Sequence, residues 1–215
     1  MTVGADVVDV NREMLEPLPQ FSLSKVLPIT VAFTVLGFGI GFLVAARNEA
    51  PSSIDMGFTR DMVDHHDQAL RMALVVLNKP DIDGGARNFA TEVLLFLRWE
   101  LGIMDTYLAN RHQQRGELER TSMQWMDMRT PVAAMPGMAT AAQLEILKGA
   151  DGADADRLFL TMMREHHRGG VHMSQYAVAH ASDGDVRETA TRMAKYQQVE
   201  LNEYSMLMRR LGLDA

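Results

Sequence analysis

Two adjacent histidine pairs, His65-His66 and His166-His167, are the residues best suited to chemistry here, because a neutral imidazole is a common metal ligand and titrates near neutral pH. Both pairs sit in the same frame. Phe58, Met62, His65, His66 and Met72 recur as Phe159, Met163, His166, His167 and Met173, every matched position 101 residues apart. Asp64 answers to Glu165 and Ala69 to Gly170 in the same register. At about 100° per residue, Met62, His65, His66, Ala69 and Met72 fall within an arc of about 120°, with Asp64, Asp67 and Arg71 opposite. The second copy gives the same wheel, with His166, His167, Gly170 and Met173 inward and Glu165 and Arg168 outward. Imidazoles and thioethers on one inward stripe form a donor set for a soft or borderline ion. Gly170 strengthens this, since a mid-helix glycine costs up to about 1 kcal/mol and a small residue one turn from the pair clears space for a ligand.

Two carboxylates belong with them. Glu100 lies within an apolar stripe of Val93, Phe96, Leu97, Met104 and Tyr107, and Glu200 within Met193, Tyr196, Tyr204 and Leu207. An unpaired buried charge is expensive, so the histidines are the natural partners. A Glu that accepts from one imidazole nitrogen fixes the tautomer and frees the other for a metal, and it could also ligate directly. Packing is the competing account: one inward His is more often a satisfied core residue than a ligand, and Met at helical spacing is more often filler. His112 and His180 near helix ends and His172 on an outward face stay with packing.

The elements that must position these groups are helices. Ser52-x-x-Asp55 is a capping box opening a helix that stops at Asn78-Lys79-Pro80, and a second runs from about Asp83 to Arg111. A connection over 112–152 follows, in which Thr140-Ala-Ala-Gln143 opens a short helix ending at Gly149. A third long helix spans about Asp154 to Ala181, and a fourth ends near Leu211-Gly212. No segment shows strand alternation. The halves, about 52–111 and 153–212, predict a four-helix bundle made from a duplicated helical hairpin. Met123, Met126, Met128, Met135 and Met138 fall within 16 residues of the connection, beside Trp125, Pro131, Pro136 and Gly137. They form either a soft-metal loop or packing against the bundle.

Composition sets the compartment. The 215 residues carry a net charge of −7, no Cys and 17 Met. There is no basic footprint for nucleic acid. Without Cys, disulfides, thiolate nucleophiles and zinc ribbons are excluded, and thioethers are the soft ligands left. Val26–Ala46 is a run of 21 residues without a charge, long enough to span a hydrocarbon core of roughly 30 Å. A signal peptide is the alternative, but its apolar core is usually about 7–15 residues after a basic start. The expected layout is a cytoplasmic segment 1–25, one transmembrane helix 26–46 and a domain 47–215 outside the cytoplasm, where thioethers survive oxidation better than thiols.

The segments GFTRDMVDHHDQALRMA (57–73) and AMPGMATAAQLEILKGADGADADRLFLTMMREHHRGGVHMSQYA (134–177) resemble the bacterial, mostly secreted or membrane-anchored family called domain of unknown function 305, over about residues 52–212. The resemblance implies an all-α, ferritin-like bundle and, for some members, copper binding through His and Met. Its motif falls on Met62, His65, His66, Met72, Met163, His166, His167 and Met173. The family's Gln before the second-helix Glu is present as Gln197 but replaced by Phe96-Leu97 in the first copy, so the halves need not be equivalent. A di-iron or di-manganese oxidase would need Glu-x-x-His from two helices, and the sequence has none. The expectation is a single-pass protein of the bacterial cell membrane that sequesters or hands on copper without catalysis, with a copper-handling or membrane protein as partner. The alternative is an anchored interaction module whose His-Glu network only fixes the bundle.

Overall fold

The computed structural model describes Val31, 33–38 and 51–213. The chain divides into two units, Met1–Glu49 and Ala50–Ala215. In the first, Val31 and 33–38 are helical, and Phe33, Val35, Leu36 and Phe38 are exposed. Most of the expected membrane segment Val26–Ala46, and all of 1–25, lie outside the described residues. Among the described residues no helix is long and apolar enough to cross a membrane.

The second unit contains α1 (Ser53–Leu77), α2 (Gly84–Ala109), α3 (Ala141–Gly149), α4 (Gly152–His180) and α5 (Gly184–Leu211). The helix signals act as the sequence predicts. Ser52 Oγ accepts from the Asp55 N–H at 3.2 Å while Asp55 Oδ2 accepts from the Ser52 N–H at 2.6 Å, closing the capping box. Thr140 and Gln143 close a second box at α3. Gly212 ends α5 in the left-handed conformation, φ 67°.

The hairpins α1–α2 and α4–α5 join through α1 and α4, which pack against each other in the middle of the bundle. They run antiparallel. Asp55, at the start of α1, accepts from the N–H groups of Ser182 and Asp183 just after α4, at 3.0 and 3.1 Å. Asp156, at the start of α4, accepts from the Asp83 N–H just after α1 at 3.2 Å. Asp55 and Asp156 are themselves 101 residues apart, so the duplication extends to the contacts that dock the halves. These contacts imply a pseudo-twofold axis between α1 and α4, perpendicular to both. Phe58, Met62, Ala69, Met72, Phe159, Met163 and Met173 form the buried centre.

The connection is more ordered than its composition suggests. It contains two two-residue strands, β1 (Thr121–Ser122) and β2 (Thr130–Pro131), paired antiparallel. A ladder this short leaves no alternation in the sequence. Met123 and Asp127, with φ 65° and 55°, flank a 3₁₀ turn that swings Trp125 against Phe58, ring centroids 5.7 Å apart. Trp125 Nε1 donates to Asp61 Oδ2 at 2.8 Å, the Met123 N–H donates to the same oxygen at 2.7 Å, and Arg120 pairs with both Asp61 and Asp64. Asp64, expected on the outward face, is therefore buried: the connection, rather than solvent, covers that side of α1.

Phe96 and Tyr196 also differ from expectation. The apolar period puts both on inward stripes, yet they are 56% and 53% exposed. The α2–α5 pair packs less closely than α1–α4, leaving a groove of about 360 Å³ whose lining includes both rings.

Candidate metal centre

The helical frame brings all four paired histidines into the core, with relative exposures of 0% for His65 and His66, 2% for His166 and 1% for His167. His65 and His166 sit where α1 crosses α4, their ring centroids 3.8 Å apart and planes inclined by 34°. His66 and His167 flank them, each held by the carboxylate of its own hairpin. His66 Nε2 lies 2.9 Å from Glu100 Oε2, and His167 Nε2 lies 2.9 Å from Glu200 Oε2. The His–Glu pairing expected from the apolar stripes is thus present in both halves.

The central pair bonds to backbone instead. His65 Nε2 lies 3.0 Å from the Pro136 carbonyl and His166 Nε2 lies 2.9 Å from the carbonyl of His65. Carbonyls only accept, so both rings carry their proton on Nε2 and present Nδ1 as a bare lone pair. A carboxylate imposes the same tautomer on His66 and His167. The buried Nδ1 atoms of His65, His66 and His167 have no protein partner.

Burial, followed by repulsion from His66, pushes the pKa of His65 down to about 3. His166 is held well below the ordinary value by burial and then by His65, His167 and His66. Their imidazoles are therefore neutral at physiological pH, the form a metal requires. Tyr204, completely buried with its hydroxyl 3.4 Å from His167 Nε2, is driven above the ordinary tyrosine range by burial and by Glu200.

Glycines set the distances here, though not as the sequence suggests. Gly170 does clear space beside the histidines, but that space is taken by Gln197, whose Oε1 would lie 2.2 Å from a Cβ at this position. Gly169 does what no sequence pattern revealed. A Cβ there would meet the Pro136 carbonyl at 1.9 Å, so its absence lets the connection lie on α4 and reach His65.

Met62, Met72, Met163 and Met173 are fully buried in the same core. Of the connection methionines, Met123, Met126 and Met135 are buried, Met138 is half-buried and Met128 is exposed. His112, His172 and His180 are exposed. A larger groove of about 640 Å³, lined by Trp99, Ile103, Arg111 and Val186 among others, contains none of the histidines.

The model of the family described as domain of unknown function (DUF305) matches residues 55–208. The chain belongs to the DUF305 family. A solved DUF305 structure from Streptomyces coelicolor, carrying the name of a secreted protein, shares 34% identity over 74% of this chain and 94% of its own, with a TM-score of 0.68. A DUF305 fragment from Deinococcus radiodurans gives 26% identity, 75% and 99% coverage and a TM-score of 0.66. CopM in its Cu(I)-bound form shares the fold at 20% identity, 73% and 96% coverage and a TM-score of 0.54, and CopM has also been solved with Cu(II) and with Ag. No relative is found among proteins with curated functional descriptions.

Proposed function

We propose that this DUF305 protein binds copper in its bundle core and sequesters it or hands it on without catalysis. The observation that carries this reading is the set of three buried, unpartnered imidazole Nδ1 atoms whose rings are fixed through Nε2 by carboxylates or a carbonyl. Buried polar atoms are normally satisfied, and metal-ligating histidines typically donate their other nitrogen in this way. Among the described residues no three His, Asp or Glu side chains converge as a ligand set, so the donors would be imidazoles completed by thioethers. Met62, Met72, Met163 and Met173 are the candidates on the same helices. Imidazole and thioether together favour copper, and the copper- and silver-bound forms of CopM show that this fold can hold such ions in a relative.

His65, His66, His166 and His167 are proposed as ligands, with Glu100 and Glu200 orienting them. We place the copper domain outside the cytoplasm on a membrane anchor at Val26–Ala46. The uncharged run, the exposed apolar residues among 33–38 and the name of the Streptomyces relative support this. A copper-donating or copper-accepting membrane protein is the partner such a role requires.

The test is a Cu(I) titration of the full-length chain against a chromophoric chelator. Replacing all four histidines by Ala should abolish competition, and unchanged affinity would sink the proposal. A second reading, a purely structural network, draws on the bonds that tie His65 to the connection and His166 to α1. It predicts loss of stability in the same variant and no copper binding by the wild type.

A further inference from the structure

We infer that the two halves of the duplicated site are chemically unequal and that Cu(II) is confined to the α4–α5 half. This rests on the copper reading above. The first half presents His66, Ala69 and Ala73 from α1 and Leu97, Glu100 and Met104 from α2. The second presents His167, Gly170 and Ser174 from α4 and Gln197, Glu200 and Tyr204 from α5. Within each helix the three positions are spaced by three and then four, which keeps them on one face.

The His–Glu bond is the same in both halves, 2.9 Å. Everything around it changes in one direction. Ala73, Leu97 and Met104 are replaced by Ser174, Gln197 and Tyr204, so three side chains without oxygen give way to three with it. All three are buried, with 0%, 4% and 0% exposure. Ser174 Oγ and Gln197 Oε1 have no protein partner. Orphaned buried oxygens are costly, and two of them in one half mark a place made for something that the protein chain does not itself supply. Gly170 belongs to the same device, because any Cβ there would exclude the Gln197 amide, whereas the first half has Ala69 at that position.

Thioethers do not separate the halves in this way. Met104, the one methionine of α2, has no counterpart at Tyr204, but α5 carries Met193 where the first half has Val93, and Met206 and Met208 besides, so neither half lacks a thioether. What the first half lacks is the additional buried oxygens. Cu(I) is served by imidazole and thioether, which both halves offer; Cu(II) favours nitrogen and oxygen, and to the His–Glu pair that both halves share only the second half adds the oxygens of Ser174, Gln197 and Tyr204. The Glu200 side chain is also the more exposed, 19% against 7% for Glu100, so the α4–α5 half is the easier one for a hydrated ion to reach.

The test uses the full-length chain, with Cu(II) followed by electron paramagnetic resonance and Cu(I) by chelator competition. The double variant Ser174→Ala/Gln197→Leu, which copies the first half's residues, should lose roughly 10- to 100-fold in Cu(II) affinity and keep its Cu(I) affinity within about threefold. His167→Ala should abolish the Cu(II) signal while His66→Ala retains it, and this pair of variants decides the matter if the double variant fails to fold. Equal loss of Cu(II) in the two histidine variants, or unchanged Cu(II) affinity in a folded double variant, would overturn the inference and leave the copper reading standing. A wild-type chain that binds neither oxidation state would overturn both.

Discussion

His65 and His166, 101 residues apart in the chain, lie with ring centroids 3.8 Å apart, and the ring of the second donates to the backbone carbonyl of the first at 2.9 Å. Two copies of one motif thus meet at the crossing of α1 and α4. Neither ring can be protonated without placing charge beside another imidazole in the dry interior.

That arrangement gives the metal-free protein a defined pH dependence. Unfolded histidine titrates near 6.5, whereas His65 is pushed down to about 3 and His166 lies well below its ordinary value. Below pH 6.5 the unfolded chain therefore binds more protons than the folded one. The stability from these two groups is complete above that pH and falls as pH drops toward 3, by about 1.4 kcal/mol per pH unit for each histidine. Urea unfolding at pH 7, 6 and 5 should show the decline, and His65→Asn should reduce its slope while the His166 contribution remains. A midpoint independent of pH over this range would contradict the burial of neutral imidazoles.

The two adjacent glycines of α4 should respond differently to Ala. At Gly169 the new methyl meets a backbone carbonyl, which can yield only if the connection moves off His65, and the expected loss is about 2–3 kcal/mol. At Gly170 it meets the end of a flexible Gln side chain, and the gain in helix propensity offsets the displacement to within about 1 kcal/mol. Thermal melts of the two variants check the order.

Asp61 should be the residue that holds the connection down. It accepts from Trp125 Nε1, the Met123 N–H and Arg120, and is 3% exposed. Asp61→Ala strands the Trp125 and Met123 N–H groups, leaves Arg120 with Asp64 as its remaining carboxylate, and should cost about 3 kcal/mol. Hydrogen exchange should quicken across 116–138 well before the bundle helices respond.

Glu100→Ala should act on the metal through His66. Without the carboxylate the ring is free to change tautomer or rotate, and copper affinity should fall roughly 10- to 100-fold. Glu100→Gln, which keeps an acceptor, should lose less. Chelator competition measures both, and equal affinities for Ala and wild type would remove Glu100 from the site.

Much of this was legible in the residues because it is periodic or local. The capping boxes at Ser52 and Thr140 name their own partners three residues on. The 101-residue repeat declares two equivalent hairpins. A carboxylate on an apolar stripe must find a cation or a donor, which is why Glu100 and Glu200 could be assigned to the histidines. Exposed and buried faces were less secure: Asp64 is polar on the outer arc of α1 yet buried, since Arg120 arrives from 56 residues away. Phe96 and Tyr196 follow the apolar period yet face an open groove, since periodicity says nothing about how closely α2 and α5 approach.

The order of residues suffices for the helices, their duplication, the inward histidines and their carboxylate partners, because hydrophobic period and the cost of unpaired charge act within a helix or between copies of one motif. The folded chain alone shows that α1 and α4 run antiparallel with His65 against His166, that Pro136 fixes one of those rings, and that Gly170 admits Gln197. These depend on where distant segments cross, and close packing settles such crossings through contacts that have no spacing in the chain.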